Sequence, residues 1–430
     1  MTPQALASAA LEVLTAANGG VPVDRALHHW GREHRFAGSK DRQHLAYLVY
    51  GVFRYRVRLT WRLMRVGVHW TPRLGLLSYQ FIVEGKNQLL LKNFYSGDRY
   101  APAPLSHIEL CTLEQLCLDT EAESSMPVAV KGECPDWAIA SLQNRYGADL
   151  SRLLGALQEQ ALVDLRANTL HGDRTALLEQ VRAEGLLAEP TPYSPLGVRI
   201  GERFSFDRLS VLHNGQAEIQ DEAAQLAALL VGAKPGMAVL DFCAGAGGKS
   251  LALAANMENK GRLVALDIAP KRLEEAQRRL RKAGVHNATV RMLEERWCAN
   301  NSGKFDRVLV DAPCTGTGTW RRNPDARFRY TKTDLEELSK KQKSILKKAA
   351  ELVKPGGELW YATCSLLAEE NDDQVAWFNE IKTDFSPILM VEALSRVDFS
   401  KPLQAKDNTL QLTPHEHQTD GFFIAAWKRD

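Results

Sequence analysis

From residue 237 onward, short apolar runs alternate with helical patterns, and no other feature of the chain narrows its fold as far. The predicted series is strand 237–243, helix 248–256, strand 262–268, helix 270–283, strand 288–293, strand 306–311, helix 334–353 and strand 357–363. Brief apolar runs bounded by turn signals read as buried strands, and strands separated by helical stretches join as parallel neighbours. A final apolar run, Gly421 to Trp427, closes the series. This order predicts an α/β fold: a doubly wound, mostly parallel sheet with helices on both faces. In such sheets ligands bind beyond the carboxyl ends of the strands, so chemistry is expected from residues just past each strand.

What precedes the alternation is of a different kind. Residues 3–17 and 41–66 carry apolar positions at helical spacing, with Ser39 and Asp41 as start signals for the second helix. No strand pattern interrupts before about residue 75. Near Cys134-Pro135-Asp136-Trp137 the texture changes to a helical pattern through about 158, strand 163–168, helix 174–184, and short strands near 197–200 and 209–213. The expected division is an all-α segment 1–135, a small α+β segment 136–215 and the α/β segment 216–430. At 430 residues the chain is long enough for that many cores.

Several function classes are disfavoured. No run approaches the roughly 20 apolar residues of a membrane span, and no charged and apolar leader pattern opens the chain. The seven cysteines (111, 117, 134, 243, 298, 314 and 364) are dispersed and form no CxxC pair, so neither a disulfide framework nor a metal site is expected. A reducing cytoplasm is the expected compartment. The net charge of +2 says little about nucleic acid, but its distribution says more. Residues 1–66 hold ten Lys/Arg against four acids, with Trp30, Tyr50, Phe53, Tyr55 and Trp61 interleaved. That is the footprint of an RNA-facing surface, or else of a solvated helix face over an aromatic core.

Asp241-Phe242-Cys243-Ala244-Gly245-Ala246-Gly247-Gly248-Lys249-Ser250 joins the first strand of the series to its helix. Glycines let the backbone turn tightly against a ligand, and the helix N-terminus offers unpaired N–H groups. Asp267 ends the next strand, where an acid commonly binds a ribose hydroxyl pair. The loop would serve NAD, FAD or S-adenosylmethionine. The missing GxGxxG disfavours a dinucleotide, and the closing apolar strand favours S-adenosylmethionine.

Two thiols follow two later strands. Cys314 ends Val308-Leu309-Val310-Asp311-Ala312-Pro313-Cys314, and Cys364 lies in Tyr361-Ala362-Thr363-Cys364-Ser365. Presented to one crevice, they point to one thiol that attacks and one that assists release. Cys111, Cys117, Cys134 and Cys298 read as packing cysteines.

These motifs resemble the Rsm/Sun/NOP family of RNA cytosine-5 methyltransferases. The likeness rests on Asp241–Lys249, Asp311-Ala312-Pro313-Cys314-Thr315-Gly316-Thr317-Gly318 and Thr363-Cys364-Ser365. Gln220-Asp221-Glu222-Ala223, Arg321-Arg322-Asn323-Pro324-Asp325 and Thr419-Asp420-Gly421-Phe422-Phe423 extend it over roughly 160–430. The basic helical segment resembles the NusB-like RNA-binding extension of the bacterial member that modifies small-subunit ribosomal RNA.

The resemblance implies a Rossmann-like class I methyltransferase domain. Its S-adenosylmethionine site is lined by Cys243, Ala244, Gly245, Ala246, Gly247, Gly248, Lys249, Asp267, Glu294 and Asp311. The chain departs from the family pattern at Glu294 (usually Asp), Ala246 (usually Pro) and Ser250 (usually Thr). Carbon 5 of cytosine needs a thiolate added at carbon 6 before it can take a methyl group. The resemblance assigns that attack to Cys364, the partner of ring nitrogen 3 to Asp311, and release to Cys314. DNA cytosine-5 enzymes instead attack with the Pro-Cys thiol, which here is Cys314, but they lack a thiol matching Cys364. A flipped or looped nucleotide is the expected target. Arg321, Arg322, Arg327 and Arg329 are expected to face RNA phosphates.

The function so implied is methyl transfer to cytosine carbon 5 in 16S ribosomal RNA, by a cytoplasmic monomer. The alternatives are the same chemistry on tRNA or another RNA, or a non-catalytic RNA-binding assembly factor.

Overall fold

The computed structural model describes every residue except Arg203, Ser205, Asp207 and Arg208. It comprises two compact units, Met1–Glu159 with Trp320–Thr331, and Gln160–Thr319 with Lys332–Asp430. None of the described helices is long and apolar enough to cross a membrane.

The first unit is helical. Helices Pro3–Asn18, Val23–Glu33, Ser39–Arg54 and Arg56–Arg65 share a core that includes Leu14, Val49, Val52 and Leu59, all fully buried. Burying one such side chain contributes roughly 1.5–3 kcal/mol. The single helix expected over 41–66 breaks at Tyr55 (φ −108°, ψ 13°). The cause is Glu133, whose buried carboxylate accepts the Val57 N–H at 2.9 Å and the Arg58 N–H at 3.3 Å. First-turn amides need such partners, so Glu133 caps a second helix that begins at Arg56. Burial pushes the Glu133 carboxyl up to about 8, against the pull of Arg327 and Arg58.

The ten basic residues of the first 66 divide into two sets. Arg54 donates to the Gln158 carbonyl at 2.7 Å, and Arg56 lies over the Trp70 ring at 4.1 Å. Arg58 faces Glu133 at 3.7 Å, Arg62 donates to the Leu116 carbonyl at 2.9 Å, and Arg65 grips Asp119 through two nitrogens. These five brace the unit itself. Arg25, Arg32, Arg35, Lys40 and Arg42 are exposed, although Arg42 also donates to the Ala37 carbonyl at 3.0 Å.

Segment Trp320–Thr331 corrects an expectation. Arg321 and Arg327 are buried rather than turned to solvent. Arg327 donates to the Leu157 carbonyl at 3.0 Å and sits over the Trp320 ring, while the Trp137 indole N–H donates to the Arg327 carbonyl at 2.9 Å. Arg329 pairs with Asp325, which also accepts the Val23 N–H at 3.2 Å. The arginines alternate with Trp320, Pro324 and Ala326, and burial of those apolar groups carries Arg327 inward.

The second unit holds two sheets. The smaller contains β1 (Val163–Ala167), β2 (Ala188–Pro190), β3 (Gly197–Ile200) and β4 (Ala217–Ile219), antiparallel in the order β2-β3-β1-β4. Helix Arg174–Ala183 covers it, burying Leu177 and Val181 against Leu165, Val198 and Ile200. The strand expected near 209–213 is instead a short helix, Ser210–His213. Its first amide is held by the Glu184 carboxylate at 3.2 Å, a cap from outside the segment that favours the helical turn. Residues from 216 were expected to belong to the α/β segment, yet β4 hydrogen-bonds to β1.

The larger sheet contains β5 (Ala238–Asp241), β6 (Arg262–Asp267), β7 (Ala288–Met292), β8 (Phe305–Asp311), β9 (Val353–Thr363), β10 (Phe385–Pro387), β11 (Thr409–Leu412) and β12 (Phe422–Arg429). Its order is β10-β12-β9-β8-β5-β6-β7, with β11 on β12. The pairings β7-β6, β6-β5, β5-β8 and β8-β9 are parallel, whereas β12 runs antiparallel to β9. Alternate residues feed two buried layers. Val308, Val310, Leu359 and Tyr361 face one, and Leu309, Trp360 and Ala362 the other. Burial on both faces is why these strands read as continuous apolar runs. The chain winds outward in both directions from the β5/β8 junction, and that reversal opens the crevice at the carboxyl ends.

Candidate active site at the strand ends

The glycine loop leaves β5 and turns at Gly247 (φ 80°) into helix Gly248–Asn256. A Cβ on Gly247 would also approach Ala276 Cβ to 3.1 Å, so glycine suits both the turn and the packing. Two backbone bonds set the loop against the next strand: Ala244 N–H to the Leu266 carbonyl, and Gly245 N–H to Asp267 Oδ2, each 2.8 Å. Asp267 Oδ1 accepts the Ala269 N–H at 2.8 Å. Each oxygen keeps acceptor capacity, so Asp267 fits a hydroxyl pair at the loop's edge. Glu294 stands exposed just past β7, beside Leu293, whose N–H bonds the Asp267 carbonyl at 3.0 Å. Loop amides, helix N-terminus and these acids together fit a nucleotide-like cofactor such as S-adenosylmethionine.

Beneath the loop, Asp241 accepts the Ser250 hydroxyl at 2.6 Å, and burial pushes its carboxyl up to about 7. Burial likewise pushes the Cys243 thiol upward, consistent with a packed side chain. Arg279, on helix Pro270–Lys282, donates to the Ala246 carbonyl at 2.7 Å and to the Glu218 carboxylate of β4 at 2.9 Å.

Four predicted residues gather at the ends of β8 and β9. Cys314 Sγ and Cys364 Sγ are 3.5 Å apart. Lys249 Nζ reaches from the glycine loop's helix to Asp311 Oδ2 at 2.6 Å and lies 4.9 Å from the Phe422 ring centroid. Burial pulls the Lys249 ammonium down, but Asp311 outweighs it and the net shift is upward. The hydrogen bond with Cys364, and then burial, hold the Cys314 thiol well above its usual range.

The loops carrying the sulfurs are knit by backbone. Gly318 N–H donates to the Cys364 carbonyl and Gly421 N–H to the Gly318 carbonyl, each 2.9 Å. A Cβ on Gly318 would lie 2.2 Å from the Gly421 oxygen, so the strand closing the chain presses against the Cys314 loop through bare backbone.

Sequence reasoning missed the groups behind the thiols. Glu370, Asn371, Gln342, Thr315 and Thr363 are all buried around the two loops. Glu369-Glu370-Asn371-Asp372-Asp373 reads as a solvated polar run, and only the tertiary fold turns its middle inward. Among the described residues, no group of three or more His, Cys, Asp or Glu is arranged to hold a metal ion.

Comparison with known proteins places this geometry. Residues 228–428 match the family described as 16S rRNA methyltransferase RsmB/F, and residues 134–207 match the ferredoxin-like domain of RsmF/B-like methyltransferases. A probable ribosomal RNA small subunit methyltransferase B from Bacillus subtilis is 34% identical over 312 residues, 70% of this chain and 68% of the relative. The chain belongs to the RsmB/F methyltransferase family. The RsmB/F likeness also runs almost end to end. Ribosomal RNA small subunit methyltransferase B from Shewanella oneidensis is 28% identical over 97% of both chains. Among solved structures, a methyltransferase homolog protein from Pyrococcus horikoshii superposes with a TM-score of 0.61 at 26% identity, covering 70% of this chain and 98% of that one. Membership bears out the resemblance stated from the sequence motifs.

Proposed function

We propose that the chain transfers a methyl group from S-adenosylmethionine to carbon 5 of a cytosine in 16S ribosomal RNA. The observation that carries this reading is the pair of thiols 3.5 Å apart. A pure RNA-binding factor has no use for two adjacent sulfurs beside a Lys–Asp pair, whereas covalent activation of a pyrimidine uses both. The names of the relatives supply the RNA class.

Cys364, as thiolate, adds to carbon 6 of the flipped base. The ring electron pair is pushed toward carbon 5, which becomes nucleophilic. Asp311, held by Lys249, faces ring nitrogen 3 and the exocyclic amine. The cofactor supplies an electrophilic methyl group. After carbon 5 has taken it, transfer of the carbon 5 proton to a water molecule leaves its C–H electron pair to re-form the ring double bond, and the sulfur–carbon pair returns to Cys364. Cys314 assists this release. The loop from Cys243 to Lys249, with Asp267 and Glu294, holds the cofactor.

The helical segment and the small sheet, which takes in β4, hold the surrounding RNA, with the larger sheet and its helices as the catalytic part. On the helical segment, Arg25, Arg32, Arg35, Lys40 and Arg42 supply phosphate contacts, and the protein works as a cytoplasmic monomer.

The test is to incubate the protein with 16S ribosomal RNA and cofactor, mapping 5-methylcytosine by bisulfite sequencing. Cys364→Ala is expected to abolish the mark, and Cys314→Ala to accumulate a denaturant-resistant protein–RNA adduct. Adduct formed by Cys364→Ala instead would overturn the assignment.

A further inference from the structure

The two cysteine loops are gripped by consecutive residues of one segment. Glu370 Oε1 accepts the Thr315 N–H at 2.9 Å and the Gln342 amide N–H at 3.1 Å, and Oε2 accepts the Thr315 hydroxyl at 2.5 Å. Gln342 Nε2 also donates to the Pro313 carbonyl at 2.9 Å. Pro313 and Thr315 flank Cys314. Asn371 does the same for the other sulfur. Its Oδ1 accepts the Thr363 hydroxyl at 2.6 Å, and its Nδ2 donates to the Ser365 carbonyl at 2.9 Å. Thr363 and Ser365 flank Cys364.

Glu370, Asn371, Gln342 and Thr363 have no exposed surface, so none can touch a cytosine ring. A buried carboxylate persists only with several donors aimed at it. Here the donors come from the Cys314 loop and the helix carrying Gln342. Because residues 370 and 371 are covalently joined, the loop positions are referred to one rigid point. A shift of about an ångström in a reacting group is enough to cost roughly 100-fold in rate.

We infer that Glu370 and Asn371 are a positioning pair that fixes the gap between the thiols, Glu370 governing the release step through Cys314 and Asn371 the attack step through Cys364. This rests on the reading of the site proposed above.

The experiment measures adduct formation and adduct decay separately, in single turnover, with the full chain, cofactor and 16S ribosomal RNA. Glu370→Gln is expected to slow decay tenfold or more, so that adduct builds up, while formation changes less than threefold. Asn371→Asp, which keeps the acceptor for Thr363 but loses the donor to Ser365, is expected to show the reverse. Thr315→Val, lacking only the hydroxyl donor, replaces Glu370→Gln if that variant does not fold, as judged by its melting temperature. A merely structural role would lower both steps together, and that result overturns the inference. Cys314→Ala runs alongside. If it accumulates adduct and the Glu370 and Thr315 variants do not, only the positioning inference fails. If it accumulates none, the reading of the site fails as well.

Discussion

Asp311 is held in the crevice by Lys249 at 2.6 Å and is itself partly exposed. That combination suits a group that must face a substrate ring while keeping a fixed orientation. Asp311→Asn keeps the shape and removes the charge. It is expected to lower single-turnover methyl incorporation by roughly 10²–10⁴-fold, the range of a positioned acid or base, and wild-type rates in that variant would exclude Asp311 from the chemistry. At this scale the sequence was legible where the chemistry is unusual. A thiol just past a strand, a second thiol past another, and a lysine after a glycine loop have few bland explanations, and the fold brings Lys249, Asp311, Cys314 and Cys364 together. Glu370 and Asn371 were illegible because acids and amides in a polar run are the ordinary content of a solvated surface.

Elements were legible in proportion to their length and to how locally they are specified. Helix Gly248–Asn256 and helix Pro270–Lys282 lie where apolar spacing and start signals put them. Helix Glu295–Asn300 is too short for a period to show, and β10 and β11 are too short to separate from loop. The break at Tyr55 depends on Glu133, 76 residues away from Val57, and no local pattern could reveal it. The contact between Gly318 and the start of β12 is likewise long-range, and it makes a sharp prediction. Gly318→Ala places a methyl group against the Gly421 carbonyl and is expected to destabilise the protein by about 1–3 kcal/mol, read as a lower denaturant midpoint with an unchanged slope. A midpoint within error of wild type would show that the two backbones part without penalty.

At the scale of the whole molecule, charge visible in sequence is not charge available to a ligand. Six of the ten N-terminal basic residues, Arg42 among them, are engaged within the helical unit, where the Glu133 carboxyl is buried between backbone amides and the pull of Arg58 and Arg327. That burial has a pH signature. The Glu133 carboxyl is raised from an ordinary 4.5 to about 8 in the folded protein. Between those values the folded state keeps a proton that the unfolded state has lost, so this group's stabilising contribution is complete below the lower value and fades as pH rises through the higher. Glu133→Gln cannot titrate. The melting temperature of wild type relative to Glu133→Gln is therefore expected to fall from pH 5 to pH 8 and then level off, and parallel profiles for the two proteins would refute the burial account.

Arg279 joins things that sequence keeps far apart. One guanidinium nitrogen holds the carbonyl of Ala246 in the glycine loop, and another holds Glu218 in the small sheet. If RNA seats on that sheet while cofactor fills the loop, both ligands act on the same fork. Thermodynamic reciprocity then requires that whatever RNA does to cofactor affinity, cofactor does to RNA affinity by the same factor. A single side chain shared by two neighbouring sheets would then carry that mutual effect.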